Sequence, residues 1–239
     1  MTYVDGFVAA VPAANKDAYT RHAADAAPLF KEFGATRLVE GWGDDVPDGK
    51  VTDFKGAVKA KADEVVVFGW IEYPSRQARD AANEKMRSDP RMRDMGEAMP
   101  FDGKRMIFGG FEAIVDEGKG GRGGYLDGYL VPVPEDKQEA YRDLAQVAAG
   151  VFREYGAIRV VEAWGDDVPD GKVTDYKRAV KAKEGERIVY SWVEWPDRET
   201  RVEGWKKVME DPRMQPGQRE MPFDGARMIY GGFAPIVDK

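Results

Sequence analysis

Two carboxylate–indole pairs are the residues in this sequence best suited to chemistry. Glu40 stands two residues before Trp42, and Glu72 stands two residues after Trp70. On a β-strand that spacing puts both side chains on one face. A carboxylate partly desolvated beside an indole has a raised pKa and can serve as a general base or a hydrogen-bond partner. The same spacing equally suits a packed interior, with indoles filling space and carboxylates paired to Arg or Lys. The residues alone leave both readings open. Both pairs recur as Glu162 with Trp164 and Trp192 with Glu194, and strand parity adds Asp5 and Asp127 to the set.

A second candidate is the segment "WGDDVPDGKVTD", Trp42 to Asp53, which returns unchanged from Trp164 to Asp175. Its aspartates invite a metal reading. Aligned as a calcium loop starting at Asp44, however, the third position is Val46 and the twelfth is Lys55, where such a loop needs oxygen ligands. Only Asp48 and Gly49 fit. The segment reads instead as a loop in which Pro47-Asp48-Gly49 turns the chain and Asp53 caps the next element. His22 is the single histidine and its counterpart in the second copy is Leu144, which excludes a symmetric histidine mechanism. Ser-His-Asp and HExxH arrangements are missing. No metal and no cofactor are expected from these residues.

The positions repeat because the chain does. Adding 122 to a residue number moves from one copy to the other without insertion or deletion, and 61 of 117 aligned positions are identical. The expected units are residues 1–117 and 125–239, joined by 118–124. The joint, "GKGGRGG", is flexible-linker chemistry rather than a phosphate loop. As a coil it spans roughly 15 Å, so the copies must sit side by side.

Each copy reads β-α-β-β-α-β, the ferredoxin-like order. In the first, "YVDGFVAAV" is a strand closed by Pro12. Next comes a helix with Asn15 as N-cap and Gly34 as its stop. "TRLVEGW" and "VVVFGWIEYP" are strands, a helix capped by Ser75 ends before Asp89-Pro90, and "MPFDGKRMIFGGFEAIV" supplies a turn and the last strand. "VTDFKGAVKAK" stays undecided between helix and strand. Parity then predicts two faces. Val4, Gly6, Val8, Val39, Gly41, Val67, Gly69 and Ile71 are small enough to let helices approach. Tyr3, Asp5, Phe7, Leu38, Glu40, Trp42, Phe68, Trp70 and Glu72 form an aromatic face too sticky for water. That face is expected to meet its counterpart, so that Asp5, Glu40, Trp42, Trp70, Glu72, Asp127, Glu162, Trp164, Trp192 and Glu194 line a shared cavity between two sheets.

"YVDGFVAAVP", "APLFKEFGA", "WGDDVPDGKVTDF", "SDPRM" and "MPFDGKRMI" together resemble the YbaA-like family of bacterial domains of unknown function, across both copies. The resemblance implies the dimeric α+β barrel superfamily: α+β, with ferredoxin-like units packed sheet to sheet, here within one chain as an intramolecular pseudo-dimer. Relatives are single-copy as a rule, and many carry Cys just before the motif's Trp. This chain has Gly41 and Ala163 there, so thiol chemistry does not carry over.

Composition narrows the function. A net charge of −7 argues against nucleic acid. The opening segment lacks a basic n-region and no stretch is long and apolar enough for a bilayer, so no membrane is expected. The absence of cysteine is compatible with a reducing cytoplasm. Two classes remain: a small-molecule binder or cofactor-independent enzyme using the cavity between the sheets, or a non-catalytic carrier or interaction protein with a filled barrel. A chain that covers its own sheet is expected to be a monomer or a weak dimer.

Overall fold

The computed structural model describes residues 2–215, 217 and 220–239. The first copy runs β1 (Tyr3–Pro12), α1 (Lys16–Phe33), β2 (Arg37–Asp45), α2 (Phe54–Ala57), β3 (Glu64–Tyr73), α3 (Arg76–Ser88), α4 (Pro90–Glu97) and β4 (Ile107–Gly118). The second runs β5 (Tyr125–Pro134), α5 (Gln138–Glu154), β6 (Arg159–Asp167), α6 (Tyr176–Ala179), β7 (Glu186–Trp195), α7 (Arg198–Glu210) and β8 (Ile229–Asp238). Among the described residues no helix is long and apolar enough to cross a membrane.

Local signals act as the sequence suggests in most places. Gly34 ends α1 at φ +118°, a left-handed position that favours glycine. The Ser75 hydroxyl accepts from the Ala78 amide to start α3. Asn15 precedes α1, yet its side chain does not cap; its amide donates to the Pro100 carbonyl instead. Asp89-Pro90 ends α3 and also begins α4, with the Asp89 carboxylate accepting from the Arg91 amide and Pro90 in the first turn. A stop signal was thus also a start signal. The undecided "VTDFKGAVKAK" contains the single-turn α2.

The eight strands close into one antiparallel barrel in the order β1-β3-β2-β8-β5-β7-β6-β4. Each copy's last strand pairs with the other copy: β8 with β2, and β4 with β6. Register shifts mark both seams, where an extra residue bends the sheet toward closure. The helices pack outside.

Register corrects the expected faces. Val4, Gly6 and Val8 lie opposite Glu72, Trp70 and Phe68, and Arg37, Val39 and Gly41 oppose the same three. Directly opposed residues share a face. The interior therefore combines the small residues of β1 and β2 with the large ones of β3. Asp5, Glu40, Trp42, Asp127, Glu162 and Trp164 point outward, beneath the helices. The cause is space: a narrow barrel takes rings from one strand only where facing strands are bare. A Cβ on Gly6 would lie 2.9 Å from the Tyr190 ring, and one on Gly128 2.8 Å from the Phe68 ring.

The repeated segment caps one end of this barrel. Asp53 accepts from the Gly56 and Gly49 amides and starts α2, which drives Phe54 into the interior against Phe68 and Phe233. Tyr176 enters likewise beside Phe111. The two caps clasp each other, the Thr52 hydroxyl donating to the Ala179 carbonyl and that of Thr174 to Ala57. The "GDD" carboxylates reach across as well. Asp166 accepts from Tyr3 and Arg76, and Asp44 from Tyr125 and Arg198.

Candidate functional site

Of the expected cavity residues, Trp70, Glu72, Trp192 and Glu194 do meet inside the barrel, but they fill it. The two indoles stack with centroids 4.3 Å apart and are fully buried. Each donates its Nε1–H to the Glu two residues on, Trp70 to Glu72 at 3.0 Å and Trp192 to Glu194 at 3.1 Å. Arg159 grips Glu72 with two hydrogen bonds of 2.8 and 3.1 Å, and Arg37 grips Glu194 with two of 2.9 Å. Asp116 and Asp238 accept from the other side of the two guanidiniums, and the Gly121 carbonyl accepts from Arg37 as well. Every one of these ion pairs joins one copy to the other. Satisfied on all sides, the group clamps the barrel end.

Open space lies instead on the outer face of the first copy. A cavity of about 940 Å³ separates β1, β3 and β2 from α1, α3 and α4. Its floor contains Asp5, Phe7 and Glu40, and its walls include Phe30, Phe101 and four methionines, Met86, Met92, Met99 and Met106. Glu40 is buried and accepts a hydrogen bond from the Tyr19 hydroxyl. Burial pushes its carboxyl up to about 7, against the lowering effect of the Tyr19 hydroxyl. Burial likewise pushes the Tyr19 hydroxyl well above its ordinary value. Asp5 is raised by burial, an effect opposed by Arg79, whose Nε donates to it at 2.7 Å. Arg79 also reaches Asp167 at 2.7 Å, so the second copy's loop completes the pocket, together with Pro169. His22 lines the pocket, and burial lowers its pKa. Trp42 lies beside Tyr19, with the Lys16 ammonium over its ring.

The second copy repeats the polar framework with different filling. Tyr141 donates to Glu162 at 2.7 Å, and burial raises Glu162 in turn. Arg201 holds Asp127 at 2.9 Å and Asp45 at 2.8 Å. Two indoles now crowd this carboxylate: Trp195 and Trp205 each donate Nε1–H to Asp127 at 2.8 Å. Their counterparts in the first copy are Tyr73 and Asn83. Trp164 is buried in the outer apolar cluster of the second copy.

What the first pocket offers chemically is a carboxylate that takes or gives a proton near neutrality, a fixed guanidinium, and a soft apolar wall. Among the described residues no group of three or more His, Cys, Asp or Glu could hold a metal ion. Tyr19, Arg79, Asn83 and the methionines were not among the expected site residues. A signal for them existed: five of the ten methionines fall between Met86 and Met106, and Asn83 is one of the positions where the copies differ most in size.

The chain is similar to the uncharacterized protein YbaA of Escherichia coli K12, 73% identical over 117 residues that cover 49% of this chain and all of YbaA. The Shigella flexneri YbaA matches to the same extent. Among solved structures, the "Putative monooxygenase" of Fusobacterium nucleatum superposes with a TM-score of 0.63 at 8% identity, covering 100% of this chain and 94% of that one. An anthrone oxidase-like protein gives 0.57 at 13%, covering 100% and 92%. These likenesses are of fold. The family model "Protein of unknown function (DUF1428)" matches residues 2–103 and again 124–225, and the chain therefore belongs to that family, as two tandem copies of its domain.

Proposed function

We propose that this chain binds a flat, apolar, weakly acidic small molecule in the outer pocket of its first copy, and that Glu40 removes a proton from it. The supporting observation is the Glu40 carboxyl: buried on the pocket floor, held by Tyr19, with a pKa of about 7. A general base works best when its pKa lies near the working pH. Arg79 supplies a guanidinium for the anion that forms, and three carboxylates, Asp5, Asp80 and Asp167, keep it in place. Methionine thioethers and phenylalanine rings give an adaptable surface for an aromatic ligand.

The names of the fold neighbours support an oxidative outcome. A ring-flanked CH₂ that loses a proton to Glu40 becomes a carbanion, which dissolved dioxygen oxidises. One oxygen atom stays as the new carbonyl and the other leaves as water, and no bound cofactor takes part. A carrier would use the same pocket without turnover.

Anthrone in aerated buffer separates these outcomes, with oxygen uptake and tryptophan quenching read in parallel. The wild-type chain is expected to bind and to accelerate uptake, and Glu40→Gln to bind while losing on the order of 100-fold or more in rate. Binding without uptake would make the chain a carrier. Absence of binding would overturn the reading.

A further inference from the structure

The second copy shows what its twin's pocket is shaped to hold. Trp205 sits there on α7, with Nε1–H aimed at Asp127 Oδ2 at 2.8 Å and its ring edge-on to Phe152, centroids 5.0 Å apart. The counterparts of Asp127 and Phe152 are Asp5 and Phe30, and both line the open pocket. The counterpart of Trp205 is Asn83, also on the pocket wall. One copy therefore contains a carboxylate, a ring and an indole between them, whereas the other contains the carboxylate, the ring and a space.

The carboxylate is also left incomplete. Asp127 Oδ1 is taken by Arg201 and its Oδ2 by two indole N–H groups. Asp5 Oδ1 is taken by Arg79 in the same way, but among the described residues no side chain donates to Asp5 Oδ2. Tyr73 stands where Trp195 would donate, and among the described residues its hydroxyl has no hydrogen-bond partner. A half-buried carboxylate oxygen facing an apolar pocket selects for a ligand that brings a donor.

We propose that the first-copy pocket takes a bicyclic N–H heteroaromatic of the indole class, with the ring N–H on Asp5 Oδ2 and the ring edge against Phe30. This rests only on the reading that the pocket is the chain's ligand site, not on deprotonation by Glu40, and it adds a ring N–H as the group that Asp5 reads and the stoichiometry. One ligand binds per chain, because Trp205 already occupies the second position.

The test is calorimetric titration of the full chain with indole, 1-methylindole and 2-naphthol. Indole is expected to bind at one per chain, about tenfold or more tighter than 1-methylindole, which cannot donate to a charged acceptor. Asp5→Asn should reduce that preference to within about twofold. Asn83→Trp, which copies the second repeat, should abolish binding of all three probes without lowering the melting temperature. Trp205→Asn should raise the stoichiometry from one to two, and it tests the idea independently should Asn83→Trp fold poorly. Equal affinity for indole and 1-methylindole would overturn the indole class while leaving the pocket intact. Failure of 2-naphthol and indole alike to bind would overturn the pocket reading itself.

Discussion

Phe68 and Tyr190 hold the same position in the two copies and stack face to face across the barrel, centroids 4.5 Å apart and planes 7° from parallel. Each ring lies over a glycine of the other copy, Phe68 over Gly128 and Tyr190 over Gly6. An added methyl at either glycine drives into a ring that has nowhere to move. Gly128→Ala is expected to cost about 1–3 kcal/mol, read as a lower urea midpoint. Gly96→Ala serves as contrast: it lies in α4 with nothing within 4 Å of an added Cβ, and it should stabilise by up to about 1 kcal/mol. Equal midpoints for both variants would refute the stacked interior.

Glu72 offers a second test of the barrel. Its carboxylate takes two hydrogen bonds from Arg159 and one from Trp70. Glu72→Gln removes the charge that Arg159 faces but keeps the shape. A loss of about 1–3 kcal/mol is expected, with anthrone binding unchanged because the outer pocket does not include this residue. Weakened binding at unchanged stability would relocate the site to the interior.

Glu40 makes stability depend on pH in a direction opposite to that of most paired carboxylates. Its folded pKa, about 7, lies above the ordinary 4.5. The folded state therefore holds the proton more tightly, and its advantage is full below pH 4.5 and lost as pH rises through 7. Glu40→Gln stays neutral throughout. The variant should match the wild type near pH 4 and exceed it near pH 8 by about 3 kcal/mol. Parallel stability–pH curves would mean that Glu40 ionises as freely as a surface carboxylate.

The fourth prediction concerns assembly. Closure inside one chain leaves no sheet edge for another copy to extend. Light scattering at micromolar concentration should return the mass of a single chain, 26.7 kDa. Twice that mass would indicate that copies exchange between chains.

Strand order and the pairing of the two sheets were readable because alternation and the 122-residue offset are local and repetitive signals. The faces were only partly readable. Parity within β1 groups Tyr3 with Asp5 and Phe7, and parity within β3 groups Phe68 with Trp70 and Glu72. Nothing in either string says that Gly6 lies opposite Trp70; that is a matter of register. Residue size misled as well, because glycines that admit facing rings look the same in sequence as glycines that admit helices. The pocket was harder still to anticipate. It depends on α4, hidden behind Asp89-Pro90, and on Asp167, which the other copy delivers.

The pairing of each copy's last strand with the other copy has a consequence for how such a barrel can change. In an assembly of two identical chains, every substitution enters twice, on both sides of the symmetry axis. A tryptophan at position 83 would then close both pockets together. Here β4 and β8 pair across the seams as they would in a symmetric pair, but the two halves carry separate letters. Asn83 and Trp205 can coexist, and one half is free to become permanent scaffold while the other stays open.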